Sequence, residues 1–173
     1  MDWLKYFRGN KWVSIIAITM FLLQPVGVFA AAPSSVAEPA PVLTSQEAMT
    51  YYLNLVETLD VTTAIGKSVF YSGPGNRKLA EEFAGSDDKT TLEMTTGGKI
   101  LDDLKLFEKG SPLTPEQAIQ VWKRLSQRYA EQAAGDVYCF VTGARPTGVF
   151  TTVELPELRK NRKIGNIYSV GKL

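Results

Sequence analysis

The sequence predicts a single α/β domain with a small, largely parallel central sheet and flanking helices. Helical and strand-like segments alternate along the chain, the clearest helices open with capping signals, and the strand-like runs are short and punctuated by glycine and proline. Of 173 residues, 45% are hydrophobic and 21% are charged, a balance that suits one domain with a real core.

The elements follow in order. Thr44 with Glu47 three residues on is a capping box, and Ala48, Met49, Tyr52, Leu53, Val56 and Leu59 follow at helical spacing. Lys67 to Ser72 is a short β-like run stopped by Gly73-Pro74-Gly75. Leu79, Ala80, Phe83 and Ala84 mark a second helix closed by Gly85. Thr90 to Thr95 reads as a strand, Gly97-Gly98 as a turn, and Ile100, Leu101 and Leu104 as a short helix. The strongest helix starts at Thr114-Pro115-Glu116-Gln117, and its apolar stripe of Ala118, Val121, Trp122, Leu125, Tyr129 and Ala133 runs to Gly135. Val137 to Thr142 and Val149 to Glu154 read as strands, the second leading into Leu155-Pro156, and Asn166 to Val170 reads as the last.

Composition narrows the chemistry. The chain has no histidine, which excludes Ser-His-Asp and Cys-His sites, imidazole bases and zinc sites that need a His ligand. The lone cysteine, Cys139, can form neither an internal disulfide nor a four-thiolate centre, and it reads as a strand core residue. No metal or cofactor is expected. Any catalysis would run on Glu, Asp, Ser, Tyr and Trp.

Lys5, Arg8 and Lys11 precede an apolar run from Trp12 to about Leu23, and Val28-Phe29-Ala30 supplies small residues for cleavage. Residues 1–30 therefore read as a signal peptide, with a membrane anchor from Val13 to Ala32 as the alternative. Residues 31–43 read as a Pro/Ala-rich linker and 44–173 as the domain, placed in a secreted or periplasmic setting. Losing residues 1–30 removes Lys5, Arg8, Lys11 and Asp2 and turns the net charge of +1 into −1, which argues against a nucleic-acid partner.

Four places put polar groups beside apolar runs. Tyr71 and Ser72 end a strand and run through glycines toward a helix, where backbone N–H groups and a hydroxyl could hold a phosphate, although no dinucleotide or P-loop spacing is present. Glu93 lies in a β-like run with Asp102 nine residues on; simple alternation would leave it in solvent. Trp122 and Ser126 share a helix face, which fits either a core stripe or a wall for a planar ring. Glu154 precedes a proline-bearing turn, as an edge charge or as a ligand-facing group.

In order and together, these residues resemble the ADP-ribosyl cyclase and NAD glycohydrolase family, best known from an animal lymphocyte-surface enzyme. The resemblance is carried by Phe70-Tyr71-Ser72 with Leu79-Ala80-Glu81-Glu82-Phe83, by Thr91-Leu92-Glu93-Met94-Thr95 with Gly98 and Leu101-Asp102-Asp103-Leu104, by the helix from Gln120 to Ala133, and by Phe150 to Glu154. It implies that the fold is cyclase-like and that NAD is the substrate. It also implies that Glu154 is the catalytic glutamate beneath the ribose, and that Trp122 packs on nicotinamide with Tyr71 in the place of a second tryptophan. Glu93 and Asp102 would be the acidic pair at the nicotinamide end, Glu93 also influencing hydrolysis against cyclisation, with Ser72 and Ser126 near the phosphates and ribose.

The chain departs from the family at Tyr71, at Gly73 where a basic residue is usual, and at Met94 where an acid is usual; Arg145 or backbone N–H groups could serve the phosphates instead. Its compact, disulfide-poor form is similar to NAD-hydrolysing toxin domains, which implies a secreted NAD-depleting effector with a cognate immunity protein. The alternative reading is a catalytically silent secreted binding module that keeps the fold.

Overall fold

The computed structural model describes residues 44–170; the signal peptide and linker expected at 1–43 lie outside them. Helix α1 (Ser45–Thr58) opens on the expected capping box, with Thr44 N donating to Glu47 Oε2 at 2.8 Å and Glu47 N to Thr44 Oγ1 at 3.3 Å. Helix α4 (Pro115–Gln132) opens the same way from Thr114, with Gln117 in the reciprocal position. The two helices pack together, and Arg128 of α4 donates to the Val56 and Leu59 carbonyls at the end of α1, which the helix itself leaves without partners.

Strands β1 (Ser68–Tyr71), β2 (Thr90–Thr91), β3 (Gly135–Phe140) and β4 (Ile164–Val170) form one all-parallel sheet in the order β2-β1-β3-β4. Phe70 pairs with Cys139, and Cys139 with Ser169. Helix α2 (Asn76–Ser86) carries the chain from β1 out to β2; helix α3 (Thr96–Asp103) and α4 then return it to the other side of β1, where β3 pairs. The direction of winding thus reverses between β1 and β3. A crevice opens at such a switch point beyond the carboxyl ends of the two strands.

Alternation along the strands divides the core. Phe70, Val137 and Cys139 pack with Val56, Val121, Leu125 and Tyr129 in the main cluster, while Val69 and Phe140 pack with Ala80 and Ala84 of α2. Cys139 is free and buried, and burial pushes its thiol up to about 12, so it serves the core and offers no thiolate.

The structure corrects three local expectations. The strand expected over Thr90–Thr95 ends at Thr91, and Leu92–Met94 forms a 3₁₀ turn. Thr95 then caps α3 by accepting from Gly98 N at 2.9 Å. Gly97 and Gly98 sit in the first turn of that helix, where a Cβ would lie 2.7 Å from the Asp60 carbonyl or overlap the Leu92 carbonyl. The strand expected over Val149–Glu154 is helical: Phe150–Glu154 forms a π-type turn that runs into α5 (Leu155–Lys160). The β-branched threonines tolerate this because Thr152 Oγ1 donates to the Gly148 carbonyl at 2.7 Å and Thr151 Oγ1 to the Arg145 carbonyl at 3.0 Å. Pro156 follows directly on the π-type turn, at the start of α5.

Candidate active site

A cavity of about 580 Å³ occupies the switch point. Its floor comes from the end of β1 and from α4, one wall from the loop after β3, and another from the helical segment that carries Phe150 and Glu154. Buried Asn76 holds the two strand-end loops together, donating to the Ser72 carbonyl at 2.5 Å and to the Thr142 carbonyl at 2.9 Å. Ser72 N extends the ladder by donating to the Phe140 carbonyl at 2.9 Å. Tyr129 stiffens the floor: its hydroxyl donates to the Thr90 carbonyl at 2.6 Å and accepts from Val69 N at 3.2 Å.

Glu154 is 7% exposed and lines this cavity. Burial pushes its carboxyl up to about 8; the Ser126 hydroxyl opposes that shift by hydrogen-bonding to the carboxyl, and the charge of Glu93 reinforces it. The free protein therefore holds a neutral carboxylic acid here at neutral pH. A cation arriving next to it would favour the carboxylate.

Tyr71 stands where β1 leaves the sheet, and its hydroxyl donates to Glu93 Oε1. Burial, and then the charge of Glu93, holds the phenol well above its usual ionisation range. Glu93 Oε2 is buried without a hydrogen-bond partner. An acceptor left in that state is costly unless a bound molecule donates to it.

A second cavity of about 360 Å³ lies alongside, walled by Trp122, Phe107 and Leu106 and edged by Asp102, Arg77 and Lys105. Arg77 Nε donates to Glu81 Oε1 at 2.8 Å and Arg77 Nη2 lies 3.8 Å from Asp102, which Lys105 approaches at 3.9 Å. Trp122 is half-buried and packs against the main core, so it is both core residue and cavity wall.

Of the residues singled out by sequence, Tyr71, Ser72, Glu93, Ser126 and Glu154 line the larger cavity, while Trp122 and Asp102 line the smaller. Glu93 belongs to both. The departures from the family pattern acquire physical reasons. Gly73 has φ +99°, and a Cβ there would meet the Thr142 carbonyl at 2.7 Å, so this backbone leaves no room for a basic side chain. Arg145, in the facing loop, lines the same cavity and has no ion-pair partner among the described residues. Met94 packs against the α2 side of the sheet, where an acid would be desolvated. Arg77 and Phe107 escaped the sequence reading. Only the i,i+4 pairing of Arg77 with Glu81 was visible in the sequence, and it does not point to a cavity.

Comparison with known proteins shows the family and its fold. The sequence model of the ADP-ribosyl cyclase family matches residues 27–169. The ADP-ribosyl cyclase/cyclic ADP-ribose hydrolase 1 of the rabbit, Oryctolagus cuniculus, is 28% identical over 131 residues, covering 64% of this chain and 43% of the relative. The Aplysia cyclase, solved with substrate NGD and product cGDPR, superposes with a TM-score of 0.55 at 22% identity, covering 72% of this chain and 56% of the other. Porcine CD38, solved with the covalent intermediate ribo-F-ribose-5'-phosphate, gives 0.51 at 25% identity, covering 68% and 58%. The chain thus spans about half the length of these relatives. Its family match runs through all four strands and both cavities, and the chain belongs to the ADP-ribosyl cyclase family.

Proposed function

We propose that the domain is an NAD glycohydrolase that cleaves the nicotinamide–ribose bond of NAD to nicotinamide and ADP-ribose, with cyclisation as a minor branch. The observation that carries this reading is the buried Glu154 carboxyl, which shares with buried Ser126 the cavity at the sheet's switch point. Nicotinamide in NAD is already a cation and leaves as a neutral base, so bond cleavage needs no general acid. What the reaction needs is a carboxylate for the positive charge that develops on the ribose, in a site with little water to screen it.

Glu154 has that role. The pyridinium charge of the incoming substrate draws its proton away, and the Ser126 hydroxyl steadies the carboxylate that results. Trp122 and Tyr71 supply aromatic surface for the cationic ring, worth on the order of 1–2 kcal/mol each when desolvated. Glu93 and Asp102 accept from the carboxamide, and Ser72 and Arg145 lie where the ribose and diphosphate would run.

The same reading places the protein as a secreted NAD-depleting effector whose producer carries an immunity protein. The leader-like residues 1–30 and the disulfide-free domain support it. The test is to incubate the domain with NAD and its etheno-adenine analogue and separate the products by chromatography. Nicotinamide release that Glu154→Gln abolishes is the expected result; NAD binding without turnover would instead favour a silent binding module. Toxicity on delivery to a cell, relieved by the product of a neighbouring reading frame, tests the effector role.

A further inference from the structure

The two cavities meet at Glu93, and one hydrogen bond stands at that junction: the Tyr71 hydroxyl donates to Glu93 Oε1 while Glu93 Oε2 stays buried without a partner. We infer that Tyr71 is a positioning residue that tethers Glu93 at the junction and thereby biases the second half of the reaction toward water. The inference rests on the NAD-cleaving reading of the site.

The tether spans two separate elements. Tyr71 is the last residue of β1, fixed by the sheet, whereas Glu93 belongs to a 3₁₀ turn whose backbone is locked by Thr95 and Gly98. Neither can drift far, so the bond sets the rotamer of Glu93. With Oε1 committed to the phenol, Oε2 is the remaining acceptor. Phenylalanine would leave both oxygens loose, and an indole N–H projects from its ring at a different point, so tyrosine defines a distinct arrangement.

Proton bookkeeping shows why this matters. In the first step the C1′–N bond breaks, its electron pair stays with the pyridine nitrogen, and neutral nicotinamide leaves. In the second step either water or an adenine ring nitrogen forms the new bond to C1′. Attack by water must release a proton; attack by the ring nitrogen releases none at that stage. An acceptor held in place beside the reacting centre therefore assists water selectively: Glu93 takes the proton and passes it to solvent. The larger cavity, which also contains Glu154, is the place where both events occur.

The test combines Tyr71→Phe, Tyr71→Trp and Glu93→Gln with two readouts. The expected result for Tyr71→Phe is KM for NAD within about threefold of the parent, kcat for hydrolysis down about tenfold, and a larger cyclic fraction, the scale following from one lost charged hydrogen bond. Tyr71→Phe combined with Glu93→Gln should match Glu93→Gln alone, since the amide takes no proton and leaves no base for Tyr71 to position. An unchanged product ratio in Tyr71→Phe, or additive losses in the double variant, would overturn the inference. The second readout needs no turnover: the ring ¹³Cζ resonance of Tyr71 in the substrate-free protein should move in Glu93→Gln. A resonance that does not move refutes the tether itself, whereas a moving resonance in a parent that never cleaves NAD refutes the glycohydrolase reading and with it the catalytic bias.

Discussion

Trp122 and Ser126 stand one turn apart on α4 yet line different cavities, Trp122 the smaller and Ser126 the larger. Helical spacing puts both on one face, but Glu93, reaching in from the turn after β2, lies along both cavities. A ligand with a planar cationic end and a ribose therefore has two neighbouring compartments with the acid at their junction.

Glu154→Gln should separate catalysis from stability. Activity falls by about 10²–10³, because the amide cannot balance charge on the ribose. Stability moves the other way. The folded carboxyl titrates near 8 against 4.5 when unfolded, so between those values the folded chain holds a proton that the unfolded chain sheds, and stability falls as pH rises through the window. Glutamine has no such slope. Thermal melts should show the variant gaining on the parent from pH 5 to pH 8; a constant difference would contradict the buried acid.

The same group sets the pH dependence of turnover. In the free enzyme Glu154 must lose its proton, so kcat/KM should climb with pH through a midpoint near 8. With the pyridinium bound, the carboxylate is favoured, so the limb in kcat lies lower. Ser126→Ala removes the hydroxyl that favours the charged form and should move the kcat/KM limb upward by about one pH unit. Profiles of both parameters from pH 5 to 9.5 decide it, and a limb in Ser126→Ala that coincides with the parent's refutes the role given to the hydroxyl.

Much of this arrangement was legible in the sequence because it is written in local signals. The Thr44 and Thr114 capping boxes and the α4 stripe depend on neighbours within a turn, and β1, β3 and β4 are short β-branched and aromatic runs. The misread segments depend on distant contacts. Thr90–Thr95 and Val149–Glu154 carry strand-like composition, but the first must turn so that α3 can pack its glycines on Leu92 and Asp60. The second coils so that Phe150 and Glu154 are both buried against the cavity. The residues of the site came from ordered resemblance; their division between two cavities came only from the fold.

Two glycines test that account of the Glu93 turn. At Gly98 an added methyl would overlap the Leu92 carbonyl, which is backbone and cannot swing aside, whereas Gly85 lies within α2 with nothing within 4 Å of its added Cβ. Gly98→Ala should cost at least about 2 kcal/mol, because the turn and α3 must separate. Gly85→Ala should stabilise by ~0.5–1 kcal/mol, since alanine is the better helix former and the site is open. Urea unfolding of both variants gives the comparison. Because the displaced turn carries Glu93, Gly98→Ala should also lose activity beyond the fraction unfolded, while Gly85→Ala keeps it. Equal stability of the two variants would mean that Glu93 is held by something other than the close approach of α3.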